Sequence, residues 1–258
     1  LPILLRVALY YLNKYININL ITCHIKPYNW GRSVIFLAEW IEAMSAVIVT
    51  PINQIELSPD SAIRISGVTW EGYVALLKEL SEKRPTRLAY DNGVLEIRMP
   101  GQQHESANRV LATIALTLAD EFGFEFNDLG AMTMNRPSLA KGIEPDSCFY
   151  IQNAQAGQGL GAAIPDDLPP DLALEVDIAN KSDSKLIIYQ AMQVPEVWLY
   201  RQEVVQIKWL EGGQYVDAIE SRGFPRVEAE HLNRWIQLRR TGTDLTVVRA
   251  VRQFCRGV

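Results

Sequence analysis

Leu172-Ala173-Leu174-Glu175-Val176 is the stretch on which the fold turns. A short, continuous apolar run after the Gly-, Ala-, Gln- and Pro-rich connection Gln152 to Pro170 reads as a strand buried on both faces. One acid interrupts it. An unpaired buried carboxylate is costly, so Glu175 needs a physical reason. Downstream, Lys181 to Met192 has helical character, and Val194-Pro195-Glu196-Val197-Trp198-Leu199-Tyr200 returns as a strand. Upstream, Ile143-Glu144-Pro145-Asp146 runs into Cys148-Phe149-Tyr150-Ile151, read as one strand from Ile143 to Ile151.

Working outward, Thr69 caps a helix in which Trp70, Tyr73, Leu76, Leu77 and Leu80 recur at helical spacing. Arg87 to Tyr90 and Val94 to Met99 flank Asp91-Asn92-Gly93, a hairpin signal. His104 to Phe122 reads as a long amphipathic helix with Val110, Ile114, Leu118 and Phe122 on one face. Phe124 to Phe126 and Ala131 to Met134 read as short strands, and Val204 to Leu210 pairs with Tyr215-Val216 around Glu211-Gly212-Gly213. Glu228 to Arg240 and Asp244 to Cys255 read as terminal helices. Strands and helices alternate without strict βαβ periodicity, so the class is α/β of the mixed α+β kind: a mixed central sheet flanked by helices.

The chain has 258 residues, 48% of them hydrophobic, with a formal net charge of −5. That balance argues against a protein that coats nucleic acid non-specifically, which would be basic. It leaves room for a nuclease, where bound metal and a local basic groove offset phosphate charge. Three scattered cysteines give neither a disulfide framework nor a zinc spacing, and point to a reducing cytoplasm. Arg6, Lys14 and Lys26 interrupt the apolar start, so it holds no membrane span and no clean secretory signal. Residues 1–43 are expected to be an appended or upstream-translated segment, with an ordinary start at Met44. Residues 44–220 are expected to form the main domain and 221–258 a C-terminal helical extension. Without the first 43 residues, 21 basic face 28 acidic residues, so the acidic character belongs to the main domain.

Three polar residues set into apolar segments are the candidate site: Asp146, Glu175 and Lys185. Two acids and a lysine can hold a divalent metal and manage water and charge at a phosphodiester. Each has a plain alternative. An acid after proline can be a turn residue, and a lysine opening a helix is usually solvated. His104 and Glu105 open the long helix, where helix-end electrostatics alone favour an acid. Glu96 alternates with Leu95 and Ile97, and its default is a solvent-facing position. Arg239, Arg240, Arg249, Arg252 and Arg256 could meet a phosphate backbone, although a solvated helix face is the commoner explanation.

Several pieces together resemble a known family. They are Leu95-Glu96-Ile97 with Pro100 and His104-Glu105, then Glu144-Pro145-Asp146, then Pro170-Asp171-Leu172-Ala173-Leu174-Glu175-Val176, then Lys185-Leu186-Ile187-Ile188-Tyr189 and Val194-Pro195-Glu196-Val197-Trp198. In order and spacing they resemble the bacterial family described as "putative restriction endonuclease", within the PD-(D/E)-x-K nuclease superfamily. The resemblance covers roughly half the chain, from about Trp70 to Tyr200. It implies a restriction-endonuclease-like core with a mixed four-stranded sheet, Mg2+ or Mn2+ on Asp146 and Glu175, and a catalytic lysine. It also places His104 and Glu105 near the catalytic edge. In the superfamily pattern the lysine lies two residues after the acid, which here is Asp177. The similar members take it from the following helix, which here is Lys185, with Lys181 as competitor. The expected activity is hydrolysis of DNA, with a two-fold homodimer as a hypothesis for double-strand cutting. An inactive nuclease-like binding or scaffold module, and a nuclease acting on RNA, remain the alternatives.

Overall fold

The computed structural model describes residues 55–80, 84–161, 163–178 and 183–257. The expected appended segment and Lys181 lie outside the described residues. Among them the chain forms eleven strands in two sheets and five α-helices. The first sheet has the order β1-β3-β2-β6-β5, from β1 (Ser61–Ser66), β2 (Arg87–Asp91), β3 (Val94–Met99), β5 (Met134–Arg136) and β6 (Lys141–Ile143). The second has the order β11-β10-β9-β8-β7-β4, from β4 (Asn127–Asp128), β7 (Ser147–Tyr150), β8 (Leu172–Asp177), β9 (Glu196–Arg201), β10 (Val204–Glu211) and β11 (Gln214–Ala218). Its β8–β9 pair is parallel, with Glu175 opposite Leu199; the other named pairs are antiparallel. The mixed α/β class is as expected, but two sheets replace the single four-stranded one.

Helices follow their caps and stripes. Thr69 Oγ1 accepts from the Gly72 N–H at the start of α1 (Trp70–Leu80). Gly123, in the left-handed conformation at φ 70°, stops α2 (Gln102–Phe122). Asn92 and Gly93 take the positive φ values that the tight β2–β3 turn requires. The last three helices are α3 (Asp183–Ala191), α4 (Ala229–Leu238) and α5 (Asp244–Arg256).

Strand alternation sorts the buried apolar side chains into three cores. Leu172, Leu174 and Val176 of β8 meet α2, α4 and α5 through Leu111, Ile114, Leu118, Trp235 and Val251. Ala173, on the opposite face of β8, packs with Ile188 and Tyr189 of α3, with Met192 just after it, and with Ala89 and Ile143 of the first sheet. Leu88, Tyr90, Leu95 and Ile97 pack on Tyr73 of α1. The expected C-terminal helices therefore contribute Leu232, Trp235, Val247 and Val251 to the same core as the long helix.

The expected strand from Ile143 to Ile151 is two strands. Lys141–Ile143 pairs in the first sheet and Ser147–Tyr150 in the second. Pro145 has no N–H for a ladder and fixes its φ, so the chain changes sheets there. The Glu144 N–H still donates to Leu88 O in the first sheet, and the Asp146 N–H donates to Leu174 O in the second. The short strands near residue 130 also start three positions later than expected, at Asn127–Asp128 and Met134–Arg136. Strand β1 had not been anticipated from the sequence.

Candidate active site

The sheet change places Asp146 on the seam between the two sheets, and four elements, β3, α2, β8 and α3, converge there. From β8, Glu175 shares a face with Ala173 and looks toward α3. On α3, Lys185, Ile188 and Tyr189 follow the i, i+3, i+4 pattern of one buried stripe, which Met192 extends just past the helix end. Lys185 is thus on the core side of its helix, only 3% exposed, rather than solvated. Its Nζ lies 2.6 Å from Glu175 Oε2, and the Tyr189 hydroxyl donates to Glu175 Oε1.

Asp146 is held on every side. Its Oδ1 accepts from Arg98 Nη2 at 2.6 Å. Its Oδ2 accepts from the Val176 N–H at 2.7 Å and from His104 Nε2 at 3.0 Å. One turn along α2 from His104, Asn108 Nδ2 donates to Asp146 O and Asn108 Oδ1 accepts from Ser147 Oγ. The structure therefore brings together Asp146, Glu175, Lys185 and His104. Glu105 is not among them: its carboxylate pairs with Arg109 one turn on, at 2.7 Å on the exposed flank of α2. Asp177, at the superfamily's usual lysine position, accepts from Arg201 on the neighbouring strand at 2.9 Å.

Arg98 is the site residue that sequence reading missed. It alternates with Leu95 and Ile97 on β3, so it points away from their core, as Glu96 does. Such a position reads as solvent-facing only while the second sheet is unknown. Here Arg98 is 3% exposed, with Nη1 donating to Val176 O at 3.0 Å and Nη2 3.5 Å from Glu175 Oε2. Among the described residues, its Nε and His104 Nδ1 have no hydrogen-bond partner.

The four central charges, Asp146, Glu175, Arg98 and Lys185, balance formally. Burial opposes ionisation of Asp146, but Arg98 with Lys185 and His104 outweighs it and holds the carboxyl well below the usual range. Burial, with the neighbouring Asp146 charge, pushes Glu175 up despite Lys185 and Arg98. The two acids are thus driven apart in acidity. Burial and then Glu175 hold the Tyr189 hydroxyl well above its ordinary value, so it remains a donor.

The donor set suits a hard cation in kind. Asp146 Oδ1, Glu175 Oε2 and Val176 O converge on one cationic group, the Arg98 guanidinium. Among the described residues no group of three His, Cys, Asp or Glu side chains is arranged to hold a metal. A cleft of about 1020 Å3 is lined by Arg84, Arg87, Asn127, Thr133 and Glu144 among others. Asp146, Glu175 and Lys185 are not among its described lining residues.

The sequence model of the Uma2 family, described as "Putative restriction endonuclease", matches residues 70–239, more than half of the chain. This chain belongs to the Uma2 family. The match spans every element of the seam, from α1 to α4. Uma2 membership supports nuclease chemistry on a nucleic acid, and restriction-endonuclease-like families use divalent metals. A solved structure described as a "putative nuclease belonging to DUF820", from Anabaena variabilis, is similar at 13% identity with a TM-score of 0.47, over 66% of this chain and 99% of that one. No curated protein matches the chain. Among the described residues no helix is long and apolar enough to cross a membrane.

The C-terminal arginines are largely matched by acids at the surface: Arg239 with Asp244, Arg240 with Glu203, Arg252 with Asp120 and Glu121, and Arg256 with Glu121. These are solvated pairs of small energetic value rather than a ready phosphate track.

Proposed function

We propose that this chain is a divalent-metal-dependent endonuclease that hydrolyses DNA phosphodiester bonds in the cytoplasm. The observation that carries the reading is the contact between Lys185 Nζ and Glu175 Oε2, buried at the seam beside Asp146. Asp146 and Glu175 would hold Mg2+ or Mn2+. Such an ion supplies stabilisation of the attacking and leaving oxygens in an in-line displacement. Lys185, held by Glu175, orients the attacking water at Nζ and offsets negative charge on the phosphorus-bound oxygens. Tyr189 fixes Glu175, and His104 with the Val176 N–H fixes Asp146, so each carboxylate keeps one orientation. Cutting of both strands would pair two copies by two-fold symmetry. A monomer mass by light scattering at working concentration removes that part.

The test is incubation of the purified full chain with supercoiled DNA and with labelled RNA, with and without Mg2+ or Mn2+. Metal-dependent nicking of DNA that chelator and Glu175→Gln both abolish is the expected result. Cleavage of RNA alone moves the substrate to RNA. No cleavage of either by folded protein sinks the activity.

A second reading, a nuclease-shaped binding or scaffold module without activity, is favoured by one observation. Every oxygen of both carboxylates already accepts from an internal donor, and Asp146, Glu175 and Lys185 are nearly fully buried. Calorimetric titration with Mg2+ separates the two, because a module with a sealed ion-pair network gives no binding heat.

A further inference from the structure

We infer that Arg98 is the resident cation of the site and competes with divalent metal for it, an inference that rests on the metal-dependent reading above. The guanidinium bridges three oxygens: Asp146 Oδ1 at 2.6 Å, Val176 O at 3.0 Å and Glu175 Oε2 at 3.5 Å. These come from the seam residue Asp146 and from two successive positions of β8, and they are the hard donors a magnesium-sized ion would need. The planar fork of arginine suits such a place, and its charge is permanent. Lys185 already offsets one of the two acids. With Arg98 in place the site is formally neutral and has nothing to offer a dication. With Arg98 withdrawn, Asp146, Glu175 and Lys185 leave a net negative charge, with Asp146 Oδ1 and Val176 O released by the guanidinium and Glu175 Oε2 still held by Lys185. The two cations cannot share the space, since each would add repulsion the acids do not balance.

The apparent dissociation constant for metal is then the intrinsic one divided by the fraction of molecules with Arg98 withdrawn. Loss of the charge-assisted hydrogen bonds of Arg98 corresponds to a penalty of roughly ten- to hundredfold in affinity. Mn2+ is titrated calorimetrically into the full chain as parent, Arg98→Gln and Arg98→Lys, with Glu175→Gln added to each as the ligand-removal control. The expected result is Mn2+ binding to Arg98→Gln roughly ten- to hundredfold tighter than to the parent. Arg98→Lys, which keeps charge without the fork, gains less, and Glu175→Gln abolishes binding throughout. Equal affinity in parent and Arg98→Gln overturns the competition while leaving the metal reading intact. No Mn2+ binding in either folded protein overturns the metal reading and the competition with it. Should Arg98→Gln fail to fold, the parent decides. Its Arg98 guanidinium NMR signals should move from restricted to free rotation as diamagnetic Mg2+ binds, and signals unchanged at saturation overturn the proposal.

Discussion

At the scale of single residues, the two acids of the seam differ in kind. Asp146 accepts from Arg98, His104 and the Val176 N–H and is held ionised, whereas burial pushes Glu175 upward. Replacing a buried paired charge strands its partners and costs about 3–5 kcal/mol. Asp146→Asn should therefore lower the unfolding free energy by about that amount in urea titration. Glu175→Gln, closer to the neutral form that burial favours, should cost about 1–3 kcal/mol. The reverse order would contradict the assigned directions. Lys185→Gln should reduce DNA cleavage by roughly 10²–10⁴-fold below the melting range, the span expected for a residue managing proton and charge. An undiminished rate would remove Lys185 from the chemistry. Glu175 was legible in sequence because an acid in an apolar strand needs an explanation. Arg98 was not, because alternation alone cannot tell a solvent-facing position from one facing a second sheet.

At the scale of elements, a buried clasp ties β9 to the segment before α4. Glu196 on β9 accepts from Trp198 Nε1 and Ser221 Oγ on one oxygen and from the Arg222 and Gly223 N–H groups on the other. Burial pushes its carboxyl up and these four hydrogen bonds pull it back. Glu196→Gln turns one oxygen into a donor facing donors, and should cost about 1–3 kcal/mol. A fall in the urea midpoint at unchanged slope checks it, and an unchanged midpoint would show the clasp to be dispensable. The helices and the β2–β3 and β10–β11 hairpins were legible because caps, stripes and Gly-containing turns are local devices. The division of Ile143 to Ile151 was less so, although Pro145 was its signal, because either side of the proline is apolar enough to be strand.

At the scale of the whole molecule, the central strands of the second sheet are covered on both faces, by α2, α4 and α5 on one side and by α3 with the first sheet on the other. Cys148 on β7 is fully buried in this stack, and burial pushes its thiol up to about 12. The thiolate is the reactive form, so Cys148 should resist alkylation at neutral pH until the molecule unfolds globally. Half-buried Cys255 should label earlier. Peptide mass mapping across a urea series checks this, and rapid labelling of Cys148 in native buffer would show that the seam opens locally.

The sequence by itself determined the local elements, the mixed class and three of the buried charges, Asp146, Glu175 and Lys185. Period, cap, turn and misplaced polarity are all properties of near neighbours along the chain. Only the tertiary structure decided that two sheets meet at Asp146, that Lys185 of α3 reaches Glu175 of β8, and that Arg98 sits between the acids. Those facts depend on which face of one sheet covers another. A carboxylate becomes costly to bury, and a guanidinium becomes its necessary partner, only after that packing has excluded water.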